Sequence, residues 1–257
     1  MTLADWWRRL RGRPAEVQID DASWRALLAS SALFARYDEA TLARLRGLAG
    51  RFLARKTFSA AGGHVLDDAQ CLAIAALACL PLLGVGADGM DGWRDVVVYP
   101  SGFRVRREHH DEQTGVVTEG DDELIGEAWD RGPVILSWAD VEADLAAPFE
   151  GFNVVVHEIA HKLDLLDGAM NGVPRLPPSI ARRDWIATMQ AGYDDLVRAV
   201  EAGADTAIDP YAAESPDEYF AVLSEAHFST PDLLADEAPA VARLLARLYA
   251  PMPAPMP

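Results

Sequence analysis

His157 and His161 stand four residues apart, with Glu158 between them, in the stretch NVVVHEIAHKLDLLDG at residues 153–168. On a helix this spacing projects both imidazoles from one face, one turn apart. Two neutral nitrogens so placed can reach a single zinc ion at about 2.0–2.1 Å. Glu158 then lies about 100° round the axis, beside the metal's open position. From there it can take a proton from water and pass it to a leaving amine. Val154, Val155, Val156, Ile159, Ala160 and Leu163 surround these residues and are apolar, which predicts a buried helix and a dry site. The competing reading is a core helix with hydrogen-bonded histidines and a surface glutamate. Three polar side chains in an otherwise apolar helix nevertheless need a reason.

A catalytic zinc needs a third protein ligand and an open fourth position. Asp167 falls where the longer pattern H-E-x-x-H-x-x-G-x-x-H has its third histidine, but the glycine that turns that chain is Asp164 here. Asp164, seven after His157 and three after His161, shares their face and reads as a carboxylate holding an imidazole. The segment DPYAAESPDEYFAVLSEAHF, residues 209–228, offers Glu214, Glu218 and Glu225. Ser215 and Glu218 have the spacing of a capping box with Pro216 at the first helical position, which accounts for a glutamate without any metal. Glu225 reads as an exposed helical acid. Spacing alone leaves the third ligand open.

The elements that must carry these residues follow from the rest of the pattern. Apolar residues recur at three and four through residues 20–56, predicting two helices that break near Tyr37 and Asp38. DDAQCLAIAALACLPLLG reads as a buried helix that opens on two acids and closes at Pro81. DVVVYP and GFRVRRE are β-rich and separated by Pro-Ser-Gly, reading as strands or a hairpin. DEQTGVVTEGDDE reads as a loop and GPVILSW as a strand. Residues 139–151 form a short helix or loop before the histidine helix. A Gly/Pro-rich loop at 167–179 then leads to three helical stretches. This order predicts one α+β domain with a small mixed β-sheet, spanning 21–250. Residues 1–20 form a basic N-terminal segment, and the proline-rich residues 251–257 are expected to be disordered.

Of 257 residues half are apolar and a quarter charged, as in soluble globular proteins, with a formal charge of −17. That charge argues against nucleic-acid binding, because phosphates would repel such a surface. Cys71 and Cys79 sit in one apolar run, too far apart along a helix to bridge. No secretory signal and no membrane span are apparent, so the expectation is a cytoplasmic protein. His64, His109 and His110 fall in expected loops, and His227 reads as a structural histidine.

ALACLPLLGVG, DVVVYPSGFRV, GEAWDRGPVILSW, NVVVHEIAHKLD, NGVPRLPP and DPYAAESPDEYFAVLSEAHFS, in that order, resemble the Mlc titration factor A family of zinc-dependent peptidases. These are relatives of the anthrax lethal factor catalytic domain. The match departs at Tyr219, before Phe220, and at AHF near the helix end. The resemblance implies a zincin-like metallopeptidase fold. It implies one zinc ion held by His157, His161 and Glu218, with Glu158 as catalytic base. Tyr211, seven residues before Glu218, would stabilise the transition state by donating to the developing oxyanion. By analogy with zincins, the strand from Gly132 to Trp138, with Val134, Ile135 and Leu136, would pair with an extended peptide substrate. The resemblance implies an aminopeptidase-like preference. Its other implication is a binding role, the sequestration of a sugar-responsive, Mlc-type transcriptional repressor.

Overall fold

The computed structural model describes residues 16–101 and 132–250. The basic segment up to residue 15, the expected strand at 102–108, the loop at 111–123 and the tail from 251 lie outside the described residues.

Caps set the helix starts. Asp20 accepts hydrogen bonds from Ala22 N and Ser23 N to open α1 (Asp21–Ser30), and Asp38 accepts from Thr41 N to open α2 (Glu39–Arg55). The expected break falls between them, where a short 3₁₀ turn, Ala32–Arg36, intervenes. Strand β1 (Thr57–Ala60) follows. Asp67 and Gln70 form a full capping box at the start of α3 (Asp68–Ala78), whose residues from Leu72 to Ala78 are all buried. A single turn, α4 (Leu82–Val85), leads towards β2 (Asp95–Tyr99). Cys71 is half-buried, Cys79 is buried, and both are free thiols.

Strand β3 (Val134–Ser137) is shorter than expected. Ser137 accepts from Asp140 N and caps α5 (Trp138–Ala146), so Trp138 opens a helix instead of closing a strand. The described strands form one sheet in the order β1-β2-β3. Both pairs are parallel, with Val96 opposite Val134 and Val98 opposite Leu136. Among the described residues the sheet is therefore parallel, and the further strand expected at 102–108 lies outside them. Parallel neighbours need a crossover rather than a hairpin, and α3 with α4 supplies it between β1 and β2. Val96, Val98, Val134 and Leu136 point inward and are almost fully buried.

The second half is helical: α6 (Val154–Asp164), α7 (Arg182–Glu201), α8 (Pro216–Ser229), α9 (Pro231–Glu237) and α10 (Pro239–Leu248). One contiguous apolar core runs from Trp24 in α1 to Tyr249 after α10, and the whole is α+β. No described helix is long and apolar enough to cross a membrane.

Candidate metal centre

Helices α6 and α8 pack against each other and run in opposite directions. Late in α8, Glu225 meets Asn153 and His157 at the start of α6. Early in α8, Glu218 meets both histidines. Two caps fix the start of α6: Asn153 Oδ1 accepts from Val156 N at 3.1 Å, and Asp144 of α5 accepts from Val154 N at 2.7 Å. Ser215 Oγ accepts from Glu218 N at 3.4 Å to cap α8. Backbone capping at Glu218 leaves its side chain available for a different task.

That side chain turns to the imidazoles. Glu218 Oε2 lies 3.1 Å from His157 Nε2 and 3.3 Å from His161 Nε2, and the two Nε2 atoms are 3.1 Å apart. Tetrahedral donors at about 2.05 Å from a metal would stand about 3.3 Å from one another. The observed triangle matches that spacing, and its chemistry, two nitrogens and one carboxylate oxygen, suits a divalent metal ion. Among the described residues this is the group of three that could hold such an ion.

The electrostatics point the same way. Burial alone would lower the His157 pKa, but hydrogen bonds and charge from Glu218 and Glu225 outweigh it and carry it up to about 10. Burial would raise the Glu218 carboxyl, yet the two imidazoles hold it well below the usual carboxylate range. A proton thus stands in for the cation that two buried carboxylates require, and metal binding must displace it.

Glu225 is the residue that spacing failed to find. It is 6% exposed, not an exposed acid, and its Oε1 lies 2.7 Å from His157 Nδ1. Its position seven after Glu218 was the available signal, since that interval returns to the same helix face. Asp164, read as the imidazole-holding carboxylate, is placed elsewhere. It is fully buried, and its Oδ2 accepts from Asn171 N at 2.8 Å and Gly172 N at 2.7 Å. As the last residue of α6 it faces the departing loop, whose amides claim it. Burial pushes its carboxyl up to about 6 against those hydrogen bonds. Gly172 has φ +73°, and a Cβ there would come within 2.4 Å of Pro216 O. The loop that Asp164 anchors therefore presses on the first turn of α8, next to Glu218.

His157 opens onto a cleft of about 800 Å³ that Glu158, Tyr211 and Glu225 also line. Tyr211 sits on a 3₁₀ turn, Pro210–Ala213, that Asp209 caps. Its ring centroid is 6.3 Å from that of His157, and the side chain is 38% exposed. Strand β3 is an edge among the described strands and turns Ile135 and Ser137 to the cleft. Val134 and Leu136 face the core instead. Gly132 O accepts from Lys162 Nζ at 3.1 Å, which ties the start of β3 to α6.

Among the described residues, the other two histidines, His227 and His64, stand apart from this cluster. His227 is 1% exposed, and burial lowers its pKa to about 4. His64 bonds Gln70 at 3.1 Å. His109 and His110 lie outside the described residues.

Residues 4–250 match the model of a family described as glucose-regulated metallo-peptidase M90. A protein named Mlc titration factor A from Salmonella schwarzengrund is 37% identical over 230 residues, covering 87% of this chain and 84% of that protein. Proteins of the same name from Salmonella gallinarum and Escherichia fergusonii are 38% and 36% identical, over 77% and 87% of this chain and 75% and 84% of theirs. The family and the His157, His161 and Glu218 cluster both fit a metallopeptidase. The chain belongs to the glucose-regulated metallo-peptidase M90 family.

Proposed function

We propose that this protein is a zinc-dependent peptidase of zincin-like fold, with residues 21–250 as a single catalytic domain. The observation that carries the reading is the donor triangle of His157, His161 and Glu218, with edges of 3.1–3.3 Å, beside a cleft lined by Glu158 and Tyr211. One zinc ion held there would supply Lewis acidity, making a water acidic and polarising a peptide carbonyl. Glu158 accepts the proton of the attacking water and returns it to the leaving amine. Tyr211 donates a hydrogen bond from its hydroxyl to the oxyanion that forms as the carbonyl is attacked. Strand β3, an edge among the described strands, holds the substrate backbone extended through the Gly132, Val134, Ile135 and Leu136 register, with Ile135 facing the cleft.

The preference is aminopeptidase-like. Asp140, Asp144 and Glu150 line the same cleft and favour a cationic amino terminus. Free thiols at Cys71 and Cys79 accord with a cytoplasmic location. Replacing Glu158 by Gln should leave zinc bound and slow peptide hydrolysis by about 10²–10⁴-fold. Cleavage at the parent rate would overturn the assignment.

The relatives' name, Mlc titration factor A, supports a second activity for this chain, the capture of an Mlc-type repressor. Capture needs a surface and not a base, so Glu158→Gln should bind such a repressor as the parent does. A pull-down with the purified repressor reads this directly.

A further inference from the structure

Each of the two histidines needs its Nε2 lone pair aimed at the cluster, which requires the ring proton to sit on Nδ1. A carboxylate can only accept hydrogen bonds. The 2.7 Å contact between His157 Nδ1 and Glu225 Oε1 is therefore a hydrogen bond donated by Nδ1–H, leaving Nε2 free to act as a ligand. The other oxygen of the same carboxylate, Oε2, accepts from Asn153 N at 2.6 Å. Asn153 is the N-cap of α6, so this bond lies at the positive end of the helix that carries both histidines.

His161 lacks such a holder. Its Nδ1 is buried with no hydrogen-bond partner among the described residues, and the carboxylate of Asp217 stands 3.9 Å away. The two imidazoles are thus held unequally, one by a short bond to a buried carboxylate and one by packing. Glu218 and Glu225 lie seven apart on one face of α8, so one rigid helix presents both a donor and the group that aims a second donor.

We infer that Glu225 is a positioning residue, which fixes the tautomer and ring orientation of His157 while pinning the first turn of the histidine helix. This rests on the metal reading proposed above. It assigns to Glu225 a larger share of the metal affinity than its distance from the donor triangle suggests. It also makes His157 the pre-set ligand and His161 the one that adjusts when the metal arrives.

The test is zinc affinity by competition with a chromophoric chelator, on the full chain, for the parent, Glu225→Gln, Glu225→Ala and Asn153→Ala. Gln keeps an acceptor for Nδ1–H and lacks the charge; Ala lacks both. Zinc should bind about 10-fold more weakly to Glu225→Gln and about 100-fold more weakly to Glu225→Ala. Asn153→Ala removes the side-chain cap of α6 but leaves the His157 bond intact. It should lower the melting temperature and change zinc affinity less than threefold. Nitrogen-15 spectra of the zinc-loaded parent should show His157 protonated at Nδ1, a signal weakened in Glu225→Ala. If Glu225→Ala fails to fold, the isosteric Gln variant and the spectrum decide alone. Parent affinity in the Glu225 variants would overturn the inference, and so would a loss no greater than that of Asn153→Ala at equal melting temperature. A parent protein that binds no zinc would overturn the metal reading and this inference with it.

Discussion

Helices α3 and α6 are both eleven residues long and both packed into the core, yet they are built on different terms. From Leu72 to Ala78, α3 buries only apolar side chains. Helix α6 buries His161, Lys162 and Asp164 beside Val155, Val156, Ile159 and Leu163, and keeps His157 half-buried. Shape and apolar area are enough to hold α3. Each polar group on α6 must instead find a partner, because an unmatched buried one costs about 1–3 kcal/mol. His157 finds Glu225 and Glu218, Lys162 finds Gly132 O, and Asp164 finds two loop amides. Buried polarity of this density does not serve stability as economically as an apolar helix does, and its concentration on α6 marks where chemistry is placed.

The comparison can be broken most forcefully at the donors. Replacing His161 by Ala should weaken zinc binding by at least about three orders of magnitude, roughly 4 kcal/mol. The metal-free fold should remain, since the ring makes no cap and no backbone bond. Equilibrium dialysis checks the first point and circular dichroism the second.

The reverse should hold on α3. Leu77→Ala removes a side chain that is 1% exposed and should cost about 2–5 kcal/mol in denaturant unfolding. Zinc stoichiometry should not change, because α3 carries none of the donors.

His227, on α8 but outside the cluster, separates burial from metal chemistry. Its folded pKa of about 4 lies below the ordinary value of 6.5, because burial disfavours the charged ring. Between those pH values the unfolded chain binds a proton that the native one does not. The His227 contribution to stability is therefore complete above pH 6.5 and lost as pH falls towards 4, amounting to roughly 3 kcal/mol. The difference in stability between the metal-free parent and His227→Phe should show this slope over the range, since the buried carboxyl of Asp164 contributes equally to both.

The smallest effect belongs to the capping box of α3. Asp67→Ala should cost about 1 kcal/mol in thermal unfolding and leave the metal site alone.

Local pattern made much of this legible. Asp20, Asp38, Asp67, Asn153 and Ser215 open helices where short-range chemistry says they should. The four-residue interval of His157 and His161 is also local, so their shared face could be read directly. What required the folded chain was everything carried across it. Ser215 and Glu218 satisfy a capping box by spacing, which hid that a backbone amide can be capped while its side chain reaches elsewhere. Glu225 partners a residue 68 positions away, and no local rule names that pairing. Asp164 shares the histidine face by period, but it ends the helix, and the amides of the returning loop are closer competitors. Parallel pairing of β2 with β3 likewise depends on contacts distant in sequence.

The most direct measurement is zinc-edge X-ray absorption of the protein loaded with one equivalent of zinc. The account predicts two imidazole nitrogens and one carboxylate oxygen at about 2.0–2.2 Å, with one further light atom completing four-coordination. A shell containing sulfur at about 2.3 Å, or a single imidazole, would contradict it.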